Sequence, residues 1–144
     1  MVGSLLKMVY LTRFAENLST LISGGLPIAQ SLETVGDIIG NVVYKEIIFE
    51  TRDRVRKGEA ISTILMRAPE LFPPVFIQMV IVGEKTGSLD TTLMGLVEFY
   101  QKEIDRTIDN VLSVLEPVLI LFLGLVVAGL MLAILMPLYK MITI

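Results

Sequence analysis

Four stretches of this sequence hold residue types that bear on chemistry. Gly83-Glu84-Lys85-Thr86 carries the glycine, lysine and hydroxyl of a phosphate-binding loop. Such a loop cradles phosphate on backbone N–H groups, sets its lysine on the β- and γ-phosphates and its hydroxyl on magnesium. The spacing fails that pattern: Gln78 stands where the first glycine belongs, and Glu84 separates Gly83 from Lys85. The segment also follows an apolar helical run and not a strand, so nucleotide binding is not expected there. Glu59 and Glu84 are carboxylates of the kind a metal site uses. Each lacks neighbouring ligands in the sequence, which favours a solvated or helix-terminal charge. Arg52, Arg54, Arg56 and Lys57 form a basic run. It suits anionic headgroups or an acidic partner, and equally the solvated last turn of a helix, where cations complement the dipole. Glu116 precedes Pro117, where it either caps a helix or pairs with a partner's cation near lipid headgroups.

The composition removes much of the remaining chemistry. There is no histidine and no cysteine among the 144 residues. The commonest general base, the thiolate nucleophile and the disulfide framework are therefore all missing. No catalytic constellation emerges; the chain is expected not to be an enzyme and to need neither cofactor nor metal. A net charge of −3 gives no reason to expect nucleic acid.

The elements that must position these residues are helical. A first helix is expected over 5–23, with Leu11, Phe14, Leu18, Leu21 and Ile22 drawing one apolar stripe. Gly24 and Gly25 stop it, and Pro27 suits the first position of a second helix reaching 39. Gly40 ends that helix, and Asn41 is placed to cap a third over 42–57 that turns Val43, Ile47, Ile48 and Val55 inward. Gly58 stops the third. A short helix over 60–66 and a proline-rich loop over 67–74 follow, with Pro73 in that loop. A fifth helix begins at 74 or 75, is nearly all apolar to Val82, and is expected to be broken by 83–88, with Gly83 and Gly87 bracketing a left-handed turn that holds Glu84 as a candidate partner contact. The sixth has the clearest period: Leu89, Leu93, Leu96, Val97, Tyr100, Ile104, Ile108 and Val111 share one face, and Glu98, Lys102, Glu103, Asp105, Arg106 and Asp109 another. No strand pattern competes. The expected fold is all-α: an antiparallel bundle of about six helices followed by a transmembrane helix.

That last helix is the strongest single signal. Residues 117–136 hold no charge over twenty positions, about 30 Å of helix, which matches a bilayer's hydrocarbon core. Pro117 is expected to start or kink it. Gly124 and Ala128 lie four apart, as do Gly129 and Ala133; small residues at that spacing let helix backbones approach closely in lipid. Their abundance in spans generally is the alternative. The expected organisation is a helical domain over 1–116, a span over 117–139 and a tail over 140–144.

Six motifs, in order, resemble one family. Phe14-Ala15-Glu16-Asn17-Leu18 through Leu21-Ile22-Ser23-Gly24-Gly25-Leu26-Pro27 resembles the opening of a domain in the platform proteins of type II secretion and type IV pilus machines. Residues 55–61 (VRKGEAI) are similar to its glycine turn, Phe72-Pro73 to its F-P, and 82–89 (VGEKTGSL) to its G-E-x-(small)-G-x-L signature. Leu115-Glu116-Pro117 resembles its L-E-P, and Pro137 its closing proline.

The resemblance implies a non-enzymatic inner-membrane platform protein, with its helical domain in the cytoplasm and its C-terminus in the periplasm. Implied partners are the cytoplasmic assembly or secretion ATPase, pilins or pseudopilins, other inner-membrane components and the bilayer, with homo-oligomerisation expected. Members usually carry two copies of the domain. This chain has one domain and one clear span, and Gly3 falls near where a second copy begins, so a C-terminal half is expected. Lys102 and Arg106 before the span against Lys140 after it agree weakly with that orientation. The residues alone also admit a membrane-tethered helical adaptor unrelated to pili.

Overall fold

The structure, a computed structural model, describes residues 2–143. These residues form six helices and no strand: α1 Val2–Ser23, α2 Ile28–Ile38, α3 Val42–Arg56, α4 Ile61–Leu65, α5 Pro74–Thr86 and α6 Leu89–Ile142. The all-α expectation therefore holds. The chain divides into two compact units, residues 1–105 and 106–144.

In the first unit α1 packs on α2, α2 on α3, α3 on α4 and α4 on α5. The short connections fold neighbours back antiparallel. The stripe of α1 is buried at Leu11, Phe14, Ala15 and Leu18. Phe14 meets Phe72 and Phe76 at 5.5 and 5.8 Å between ring centroids, and Phe72 meets Phe76 at 5.3 Å. Tyr44 and Tyr100 close the aromatic centre at 5.7 Å from Phe72 and 6.4 Å from Phe76. From α6, Leu89, Leu93, Leu96, Val97 and Tyr100 are buried.

The helix ends follow backbone chemistry. Gly24 is hydrogen-bonded back to the Thr20 carbonyl; Gly25 N–H donates to Ile22 O and Leu26 N–H to Leu21 O, closing a Schellman motif. Pro27 stands just outside α2, not at its first position. Its ψ is 148°, and its carbonyl accepts from the N–H and hydroxyl of Ser31, the arrangement of an N-cap. Asn41 caps α3 as expected, its Oδ1 accepting from the N–H groups of Val43 and Tyr44 at 2.9 and 3.2 Å. Pro73 occupies the corresponding position before α5, its carbonyl accepting from Ile77 N–H.

Three expectations are corrected. Val43 does not face inward but is 56% exposed; Tyr44, Ile48 and Thr51 take the buried face. The larger ring of Tyr44 sets this register, because it packs edge-on against Phe72 and tilted against Tyr10 and donates its hydroxyl to Leu71 O. Gly83 does not break α5 and takes no left-handed conformation: the helix runs through it to Thr86, and Gly87 alone of that turn has positive φ, at 68°. Glu84 accordingly belongs to α5 and not to the turn. The apolar stripe of α6 also stops being buried earlier than its periodicity suggests, since Ile108 and Val111 are 43% and 45% exposed.

The second unit is the remainder of α6. It contains the apolar segment, with a mean hydropathy of 3.1 over its most apolar window and none of that window buried. α6 continues through Pro117 and Pro137, so Pro117 does not start a separate helix. A proline removes one N–H from the ladder, and one missing bond does not end a helix of this length. Lys140 also lies within α6.

Candidate functional site

At one end of the first unit, α1, α3 and α5 finish where α2, α4 and α6 begin. The three connections there surround a cleft of about 360 Å³. Ile22, Ile28, Val55, Ile61 and Leu89 give it apolar walls, and Glu59, Glu84 and Asp90 contribute carboxylates. Among the described residues no lysine or arginine lines it.

Each carboxylate has its own local task. Glu84 reaches from the last turn of α5 to the start of α4. Its Oε1 accepts from Ser62 N–H at 3.0 Å and its Oε2 from the Ser62 hydroxyl at 2.7 Å. The residue in the capping position of α4, Ala60, has no side chain that can do this, so an acid from another helix satisfies these buried donors and complements the dipole. Asp90 accepts from the Ser23 hydroxyl at 3.2 Å, and its backbone carbonyl accepts from Ser19, tying the start of α6 to α1. Glu59 accepts from Arg54 Nη1 at 3.4 Å through Oε1, whereas its Oε2 is buried with no hydrogen-bond partner.

Gly83 and Gly87 support the cleft in different ways. A Cβ on Gly83 would meet the Thr92 hydroxyl and would come within 2.9 Å of Leu89 Cα, so glycine lets α5 lie against the start of α6. Gly87 supplies the left-handed residue that ends α5. Gly58 sits in the equivalent motif after α3, where Gly58 N–H donates to Val55 O and Glu59 N–H to Arg54 O.

The arginine run is engaged within the chain. Arg52 pairs with Glu33 at 3.5 Å and Asp53 at 3.0 Å and lies over the Phe49 ring at 4.5 Å. Arg56 pairs with Glu33 at 3.1 Å. Pairs this exposed contribute about 0–1 kcal/mol each. Glu116, Pro117, Gly124, Ala128, Gly129 and Ala133 lie on the exposed helix of the second unit. An added Cβ at Gly124 or Gly129 would touch nothing within 4 Å. Among the described residues no group of three or more acidic side chains is placed to hold a metal ion. Sequence reasoning singled out Glu59 and Glu84 separately and missed that they share a cleft with Asp90. The available signal was Ala60: an N-cap without a capping side chain requires an acceptor from elsewhere.

The three connections around the cleft are the stretches 21–28, 55–61 and 83–89, which carry much of the family resemblance. The family model for type II secretion system protein F matches residues 14–137. The chain belongs to this family. It is 33% identical over 140 residues to a type IV pilus assembly protein PilC of Thermus thermophilus, covering 97% of this chain and 34% of that protein. It is 35% identical over 140 residues to the type IV pilus assembly protein TapC of Aeromonas hydrophila, with 97% and 34% covered. A type II secretion system protein F of Pseudomonas aeruginosa is 28% identical over 141 residues, with 98% and 35% covered. The chain thus spans about a third of the length of these relatives.

Proposed function

We propose that the chain acts as a non-enzymatic platform subunit in the inner membrane, in a machine of the type II secretion or type IV pilus kind. Membership of the family across 14–137 carries this reading. It is supported by the apolar segment of α6, which is long enough to cross a bilayer, and by a sequence without histidine or cysteine. The domain of residues 1–116 lies in the cytoplasm, residues 117–139 span the bilayer, and residues 140–144 reach the periplasm. Partners are the cytoplasmic assembly ATPase, pilin or pseudopilin subunits and other inner-membrane components, and the subunit works as a homo-oligomer. The task is coupling: the helical domain takes up motion from the ATPase and α6 carries it toward the span, where pilins enter the fibre. α6 supports this because it belongs to both units and is continuous from Leu89 to Ile142.

Deletion of the coding sequence, followed by complementation, tests the reading. Loss of fibres or of secreted substrate, restored by the gene, together with co-purification of the ATPase and a pilin in mild detergent, is the expected outcome. Normal assembly without the gene and absence of both partners would replace this reading with an unrelated membrane-tethered adaptor.

A further inference from the structure

We infer that the cleft at the α1/α3/α5 end of the first unit is a docking site for a segment of a partner protein that inserts a single basic side chain flanked by apolar residues. Its lining is mixed in a particular way. Ile22, Ile28, Val55 and Leu89 offer apolar wall, the kind of surface on which the methylene stem of a lysine or arginine packs. Around that wall stand three carboxylates and no lining cation. Arg54, behind Glu59, offsets one of them, so the cleft keeps an excess of negative charge.

Glu59 selects the occupant. One of its oxygens is held by Arg54; the other, Oε2, is buried and accepts nothing. An acceptor left without a donor costs about 1–3 kcal/mol, more when charged. The terminal torsion of glutamate is soft and the side chain is 37% exposed, so Oε2 reaches a donor in the cleft only when the carboxylate turns. Glu84 has both oxygens hydrogen-bonded to Ser62 and Asp90 has one on Ser23; of the three, Glu59 is the carboxylate with a buried oxygen left unpaired, and the other two act as background field. A bare metal ion fits less well, because no group of three acidic ligands converges among the described residues. The place in the fold suits a partner as well. The cleft lies where α6 begins, and the chain leaves the first unit sixteen residues later, at Asp105, about 24 Å along the helix. This inference does not depend on the platform reading, and its test requires no assembled machine.

The test is selection of a displayed library of random twelve-residue peptides on the full chain in lipid nanodiscs. Enriched peptides are expected to share one arginine or lysine between apolar residues. Their affinity is expected to fall about tenfold or more in Glu59→Gln and in Ile28→Ser, a substitution at the cleft rim, with the thermal midpoint unchanged. Should Glu59→Gln lower the midpoint, Ile28→Ser carries the test alone. The proposal is overturned by no enrichment, by enriched peptides without a basic residue, by affinity unchanged by the rim substitution, or by enriched sequences that reproduce segments of this chain, which would assign the cleft to a second copy. Displacement of a selected peptide by millimolar calcium or magnesium at constant ionic strength would assign it to a cation and overturn it too.

Discussion

Single residues here act mainly through the backbone ends they satisfy. Ser62 is 5% exposed, and Glu84 takes both its N–H and its hydroxyl proton. Glu84→Ala leaves those donors without an acceptor and is expected to lower stability by about 1–3 kcal/mol. Glu84→Gln, which keeps an acceptor but loses the charge, should cost less. Urea denaturation of the full chain in detergent micelles reads both, and an alanine variant as stable as the parent would remove the cap from the account. Gly83→Ala drives a methyl toward Leu89 Cα and the Thr92 hydroxyl, with an expected loss of about 1–3 kcal/mol. Shortening Thr92 to Ala in the same chain should recover part of it, and no recovery would place the conflict at the Leu89 backbone. Tyr44 gives a pH-dependent signal. Burial, with smaller contributions from Tyr10 and Tyr100, pushes its phenol up to about 12. A phenol whose folded pKa is raised favours the folded state fully below its ordinary value near 10 and loses that contribution as pH rises through the folded value. The parent should therefore lose more stability than Tyr44→Phe between pH 10 and 12, measured as the difference in denaturation midpoints. Parallel curves would show that Tyr44 ionises as freely as in the unfolded chain.

At the scale of elements, legibility followed the kind of force at work. Helices were readable where a period or a cap decides the matter: Asn41 before α3, the glycines after α1 and α3, and the apolar stripe of α1 all act locally in sequence. The register of α3 was not readable, because Val42, Val43 and Tyr44 are adjacent apolar candidates. Only the Phe72 ring, brought by the connection between α4 and α5, and the Tyr10 ring of α1 decide among them. Gly83 was misread for the same reason. A glycine in a sequence reads as a breaker, while the close approach of Leu89 that needs it exists only after folding. The cleft was half visible: its turns stood out as motifs, but the meeting of Glu59, Glu84 and Asp90 depends on three separate helix junctions. α6 carries its own prediction. A flexible Gly-Ser segment inserted after Asp109 interrupts the helix in the second unit, beyond the buried positions that end at Tyr100. The first unit should keep its denaturation midpoint while fibre assembly or secretion is lost in a complementation assay. Assembly that continued normally would end the coupling idea and leave family membership untouched.

For the whole molecule the open issue is what the apolar segment does beyond holding the chain in a bilayer. Length and hydropathy account for anchoring alone, and a run of leucines would satisfy both. The side-chain profile is less uniform than that requirement. Gly124, Ala128, Gly129 and Ala133 leave low relief on a helix otherwise built of Leu, Val, Ile, Met and Phe, and among the described residues an added Cβ at Gly124 or Gly129 would meet no atom within 4 Å. Glycine in an exposed helix costs about 1 kcal/mol relative to alanine in water, so two of them are an expensive choice for an inert anchor. In lipid, where apolar side chains gain nothing by leaving the hydrocarbon, small residues are what allow another helix to come close. Replacing residues 118–136 with leucine separates the possibilities. Insertion, measured by membrane fractionation and alkaline extraction, should be unchanged, and so should the denaturation midpoint of the first unit. Assembly in the complementation assay should be lost, and restoring Gly124, Ala128, Gly129 and Ala133 within the leucine run should recover part of it. If the uniform leucine span assembles fibres normally, the segment is an anchor and the small residues carry no contact. If it fails and the four restored residues give no recovery, the working surface lies among the larger side chains of the same span.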